Sequence, residues 1–327
     1  MERSLEDFVT DLGFIAADCF DVLLVKDMGT PARVNDKVFL RNVLFATDFS
    51  SASMKALPYV TGIARRFDSK LCIAHVVPPE DYPSGLNSLD EAAQIACGEA
   101  ELKMSSLLNS APFRDRACEG VVGNGDIWIG LSDFMRRNAT DLLVMGTIGR
   151  TGVRKFLLGS VAEEAMRESP CPVLTVGPES HAAEEVEFRN ILYATDFSSD
   201  SLAAAPFALA LAKNCGCCLT LVHVFEGLPE SPYLDTQMAK LRLRELVSQR
   251  VDLGPEPQVI VEMGSPANVI LKAADDTASD LIVIGASGAG ALARLASHFG
   301  SVAHKIVCRS VCPVLTVRGW PNRDREE

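Results

Sequence analysis

The 327-residue sequence has no uncharged apolar run of roughly 18 residues, so no membrane-spanning helix is expected. Basic residues are in the minority. Lys and Arg number 31 against 43 Asp and Glu, a formal charge of −12. Without a basic field to neutralise phosphates, a general nucleic-acid binder is not expected. The first residues are acidic rather than a basic stretch leading into an apolar core, so no secretory signal is read there. Also missing are the Gly-Lys-Ser/Thr of a P-loop, a Ser-Gly-Gly-x-Asp-Ser run and a His-x-Gly-His. These absences weigh against a dedicated ATP-cleaving enzyme. Ten cysteines are present, but no second ligand pair or His cluster gives them zinc-finger spacing. Cys72, Cys118 and Cys308 sit in apolar patterns, where cysteine behaves as a small hydrophobe. Cys215-Gly216-Cys217-Cys218 contains a formal Cys-x-x-Cys, and reads as a helix-to-strand turn of a reduced, cytoplasmic protein.

What the chain does have is a repeat. RNVLFATDFSS at 41–51 returns as RNILYATDFSS at 189–199. At the same offset Pro58 falls on Pro206, His75 on His223 and Val76 on Val224. Asp141-Leu142-Leu143-Val144 matches Asp280-Leu281-Ile282-Val283, and CPVLTV at 171–176 matches CPVLTV at 312–317. A repeat this long is a duplicated domain, not a solenoid unit. In each copy apolar strands alternate with helical patterns, the first copy's strands falling near 42–47, 70–77, 117–122, 141–146 and 172–176. Ala56, Val60, Ile63 and Ala64 give one helix face, and Leu89, Ala92, Ala96, Met104 and Leu107 another. Ser88-x-x-Glu91 reads as a capping box for the second of these helices. Strands that are apolar without strict alternation are buried on both faces, which implies a parallel sheet covered by helices. The fold class is therefore α/β, with two tandem doubly wound parallel-sheet domains. The boundaries are an N-terminal extension over 1–40, a first domain over 41–177, a linker over 178–187, a second domain over 188–318 and a tail over 319–327.

The chemistry concentrates where the fourth strand of the first copy ends. Val144-Met145-Gly146 leads through Gly149 to Gly159-Ser160-Val161 and a helix start. Glycines let main-chain N–H groups approach an anion, and a helix N-terminus adds unpaired donors and partial positive charge. The first strand ends in Ala46-Thr47-Asp48. In a doubly wound sheet these two strand ends border one crevice. Asp48 there either caps the next helix or binds a ribose hydroxyl or, through Mg²⁺, a polyphosphate. His75 and His223 lie in apolar strands with no nucleophile arrangement beside them, and are not read as catalytic.

Gly146-x2-Gly149-x9-Gly159-Ser160 matches the ATP-binding signature of the universal stress protein family, which the chain resembles over about 41–177 and 188–318. The resemblance implies a five-stranded, Rossmann-like sheet in each copy, of the adenine nucleotide alpha hydrolase-like type. It implies an adenine nucleotide, ATP or a relative, with or without Mg²⁺. Ala46, Thr47, Asp48 and Val76 would approach the adenosine, and Met145, Gly146, Gly149, Arg150, Gly159, Ser160 and Val161 the ribose and phosphates. In the second copy the corresponding residues are Ala194, Thr195, Asp196, Val224, Gly285, Gly288, Gly300, Ser301 and Val302. There the loop is longer by two residues and nearly uncharged over 289–293, so weaker, altered or no binding is expected. The resemblance also implies that the closing strands pair with each other, making the chain an internal pseudo-dimer, with further homodimers left open. A stress-response regulatory module with an unidentified protein partner is the reading. A slow ATPase or transferase, and a scaffold with a structural nucleotide site, are the alternatives.

Overall fold

The computed structural model describes residues 40–86, 88–113, 117–149, 158–180, 187–248, 255–287 and 301–319. Arg150, Gly288 and Gly300 lie outside them, as does the N-terminal extension apart from Leu40 and all but the first residue of the C-terminal tail.

In the first copy the order is β1 (Asn42–Ala46), α1 (Ser51–Met54), α2 (Leu57–Arg66), β2 (Lys70–Val77), α3 (Leu89–Leu108), β3 (Cys118–Asn124), α4 (Ile127–Arg137), β4 (Leu142–Gly146), α5 (Ser160–Glu168) and β5 (Val173–Val176). The second copy runs β6 (Asn190–Ala194), α6 (Ser199–Cys215), β7 (Cys218–Phe225), α7 (Pro232–Ser248), β8 (Gln258–Met263), α8 (Pro266–Asp276), β9 (Leu281–Gly285), α9 (Val302–Arg309) and β10 (Val314–Val317). The strands join in one ten-stranded sheet of order β3-β2-β1-β4-β5-β10-β9-β6-β7-β8. Every pairing is parallel except one. β5 and β10 run antiparallel, with Leu174 opposite Leu315. The two closing strands thus cover each other, as the resemblance implies, and neither is left as an apolar edge.

The buried strand residues explain the parallel sheet. Val43–Ala46, Leu142–Met145 and Val173–Val176 are buried without alternation, because helices cover both faces. On one face α2, α3, α6 and α7 share a single apolar core that crosses the β5–β10 junction, from Tyr59 and Ile63 to Leu209 and Leu243. On the other face there are two cores, one under α4 and α5 and one under α8 and α9, and Met166 of α5 reaches across into the second.

Two local expectations are corrected. Leu89 is exposed rather than part of the α3 apolar face, which is built from Ala92, Ala93, Ala96, Ala100 and Met104. As the first helical residue, it precedes the turn that reaches the sheet. Ser88 does cap α3, but through the N–H of Asp90 at 3.2 Å, without the reciprocal bond of a capping box. The helix after β1 breaks into α1 and α2, with Pro58 in the first turn of α2, where its missing N–H costs nothing. Its counterpart Pro206 lies inside the unbroken α6.

Candidate nucleotide crevice

The chain runs outward from β1 to β2 and β3, then returns to β4 on the other side of β1. That reversal opens a crevice between the carboxyl ends of β1 and β4, where Ala46 stands beside Met145. Two motifs almost a hundred residues apart in sequence meet here.

The β1 exit is fixed by side chain to main chain bonds. The hydroxyls of Thr47 and Ser53 are 2.9 Å apart, and the Thr47 Oγ1 accepts the Phe49 N–H at 3.0 Å. Phe49 adopts a left-handed conformation, φ 59°, uncommon for a bulky residue and held by these bonds. The Asp48 Oδ1 accepts the Ser50 N–H at 3.0 Å, and the Ser50 hydroxyl caps α1. Asp48 is therefore partly a turn residue. Its other oxygen, Oδ2, faces Gly149, where a Cβ would stand 3.0 Å from it.

The β4 exit needs its glycines for space. A Cβ on Gly146 would stand 3.0 Å from the Ser53 Cα of α1. Gly159 donates its N–H to the Thr147 carbonyl at 2.8 Å, so the loop that leaves β4 is closed back onto its own start. Gly159 is the N-cap of α5 and offers no side chain to the first turn. The N–H groups at the start of α5 have no intrahelical partner and carry the partial positive charge of the helix N-terminus. Ser160 is exposed and Val161 half-buried there. Ala46, Met145 and Val76 are buried, and the Val76 side chain lies against Gly130 of α4, where a Cβ would come within 2.9 Å of it. Val76 thus commits its side chain to the core.

His75 and His223 occupy equivalent places. Each imidazole Nδ1 donates to the carbonyl of the threonine that ends the neighbouring strand, Thr47 at 2.7 Å and Thr195 at 2.8 Å. Each ring lies about one ring's width from a phenylalanine, Phe49 at 4.6 Å and Phe197 at 4.7 Å between centroids. Burial pulls the His223 pKa down, against the opposing pull of the Thr195 carbonyl and Asp196; Arg242 of α7 adds to the lowering. The same Arg242 sits over the Phe197 ring at 4.2 Å.

The second half reproduces the strand exit bond for bond. Thr195 and Ser201 hydroxyls are 2.9 Å apart, Phe197 has φ 60°, and Ser198 N–H donates to Asp196 at 3.0 Å. Gly285 is crowded more closely than Gly146, since a Cβ there would stand 2.5 Å from the Ser201 nitrogen. Three donors, however, are answered from within. Asp200, where the first half has Ala52, accepts the Ser287 N–H at 3.1 Å and the Gly319 N–H at 2.8 Å. Ser301 caps α9, which begins at Val302, by accepting the His304 N–H at 3.1 Å. Ala194 and Thr195 are buried and Val224 half-buried, as parts of the sheet.

Residues missed from sequence are Ser53 and Ser201, Gly130, and the Asp200 bridge. The first pair was detectable, because Thr-Asp-Phe-Ser-Ser-x-Ser is repeated in full at 47–53 and 195–201. Among the described residues no helix is long and apolar enough to cross a membrane, and no cluster of His, Cys, Asp or Glu is arranged to hold a metal ion.

Comparison with known proteins agrees with this architecture. A universal stress protein of Thermus aquaticus is 35% identical over 139 residues, covering 40% of this chain and 99% of that protein. One from Mycobacterium tuberculosis strain H37Rv is 27% identical over 267 residues, 76% of this chain and 87% of its own. The crystal structure of a universal stress protein from Archaeoglobus fulgidus superposes with a TM-score of 0.67 at 22% identity, over 86% of this chain and 98% of that one. The model of the universal stress protein family matches twice, at residues 40–177 and 187–318. With most of its length matched in two successive copies, this chain belongs to the universal stress protein family.

Proposed function

We propose that the first half binds an adenine nucleotide, ATP foremost, and that occupancy of this crevice makes the protein a regulatory module in a stress response. The observation that carries the reading is the α5 N-terminus. It is uncapped by any side chain, begins at a glycine bonded back to Thr147, and opens beside Asp48. Phosphates would take the free N–H groups of α5 and the glycine-lined loop. The Asp48 Oδ2 would take a ribose hydroxyl, and the main chain around Val76 the adenine. Arg150 would add a guanidinium to the phosphates. Mg²⁺, if it accompanies a triphosphate, would be held mainly by the phosphates with help from Asp48.

Binding is assigned chiefly to the first half. In the second, Ser301 and Asp200 already satisfy the equivalent helix and strand-exit donors, and Asp200 brings a carboxylate to that exit. A switch rather than a catalyst fits the interior histidines, which are engaged by main-chain carbonyls.

The experiment is mass spectrometry of small molecules released on unfolding the purified protein, followed by ATP calorimetry. One equivalent of adenylate, lost in Gly159→Val, is the expected result. No adenylate and no measurable affinity, or full affinity retained in Gly159→Val, would overturn the assignment.

A further inference from the structure

The turn from α6 to β7 brings together groups that nucleotide binding does not use. α6 ends at Cys215, Gly216 turns the chain with φ 67°, and Cys217 follows before β7 starts at Cys218. The left-handed glycine reverses the chain between the first two cysteines, which stand two residues apart on either side of it. Cys217 is buried, and its sulfur donates to the Phe188 carbonyl at 2.8 Å. Cys215 is half-buried and lines the same groove as Arg66, at the end of α2. Arg66 also bonds the Asn214 carbonyl, which fixes it against the last turn of α6. A groove of about 470 Å³ opens over Cys215 between α2 and α6, lined by Arg65, Arg66 and Arg189 over Phe67 and Phe188.

We propose that Cys215 is a peroxide-reactive thiol and Cys217 its resolving partner, with Arg66 as the positioning cation and the groove as the entry for a hydroperoxide. The arrangement separates the two roles. One sulfur is reached from the groove, and the other is held inside, one glycine away along the chain. The neighbouring Cys217 side chain and the Arg66 guanidinium both favour a Cys215 thiolate, bringing its pKa down to about 7, while burial and Asp280 oppose them. Cys217 moves the opposite way, held as a thiol by its contact with Cys215, by burial and by Asp280. Glu187 is the remaining charged group on the groove wall.

The chemistry balances as two steps. The Cys215 thiolate attacks the hydroperoxide oxygen, an S–O bond forms, the O–O bond breaks, and the departing oxygen leaves as water or alcohol after taking one proton. The Cys217 sulfur then attacks Cys215, an S–S bond forms, the S–O bond breaks, and the hydroxyl leaves as water with the Cys217 proton. Two thiols lose two electrons in all, and the hydroperoxide gains them.

The test treats the full chain with a few equivalents of hydrogen peroxide, with and without a sulfenic-acid trap, and maps the peptides by mass spectrometry. The expected products are a loss of about 2 Da in the peptide spanning 214–240, unchanged in Cys218→Ser, and a trapped adduct on Cys215 in Cys217→Ser. In untreated wild type at pH 7, Cys215 should alkylate at least several-fold faster than the exposed Cys218, with a pH midpoint that moves up in Arg66→Met. Faster labelling of Cys218, absence of oxidation at Cys215, or an unmoved midpoint would each overturn the proposal. The wild-type rates need no variant, so a misfolded substitution does not shelter it.

Discussion

The carboxylate of Asp48 faces the backbone of Gly149 across the crevice, close enough that a side chain at position 149 would crowd it. A Cβ on Gly149 would lie 3.0 Å from the Asp48 Oδ2. Gly149→Val should therefore displace the carboxylate or the loop. The expected loss is about 10- to 100-fold in ATP affinity, the worth of one or two charge-assisted bonds. Thermal midpoint should change little, because Gly149 is at a loop rim. Unchanged affinity by calorimetry would remove Asp48 and Gly149 from the nucleotide site.

Gly159→Asp separates stability from binding. Its backbone, φ −67° and ψ 148°, already suits an N-cap residue, and a carboxylate there would accept from the first turn of α5. The fold should gain roughly a few tenths of a kcal/mol in chemical denaturation, after the Thr147 carbonyl gives way to the new Cβ. Nucleotide binding should be lost, since the carboxylate takes the donors and repels phosphate. A variant that is stabilised and still binds ATP would place the phosphates elsewhere.

Leu174 and Leu315 face each other where the halves join, both buried within the core that spans them. Leu174→Ala should cost about 2–5 kcal/mol. Because that core is continuous, scanning calorimetry should show a single transition for both halves in the wild type and in the variant. Two separated transitions would show that the halves fold independently.

His223 makes stability depend on pH with a definite sign. Its folded pKa lies below the ordinary 6.5, so between the two values the unfolded chain binds more protons. Stability then rises with pH through that window and is lost as pH falls below 6.5. Replacing His223 by Asn should flatten this slope in unfolding experiments between pH 5 and 7, on the order of one proton's worth at most. An NMR titration placing His223 at or above 6.5 would contradict the sign.

Much of this was legible from the residues. Unbroken apolar strands such as Leu142–Met145 announce double burial, and the duplicated strand-exit motif locates equivalent crevices. Cys215–Cys218 reads correctly as a turn from its position between a helical and a strand pattern. What the residues do not display is which partners a side chain finds across space. Asp200 differs from Ala52 by one carboxylate, and nothing in its neighbourhood in sequence says that it reaches Ser287 and Gly319. Arg66 meets the last turn of α6 only because β5 and β10 bring the halves together. Leu89 shows the converse, a periodic match that falls one turn short of the sheet.

The antiparallel seam between β5 and β10 has a further consequence for any shortened form of the chain. A fragment ending after the first half would carry Val173–Val176 as a bare apolar rim, with its main-chain groups seeking a substitute. The ready substitute is a second copy of the same fragment, in the same antiparallel alignment. The second half, even with an empty crevice, thus serves the first as a tethered chaperone of its open border, at an effective concentration no free partner could match.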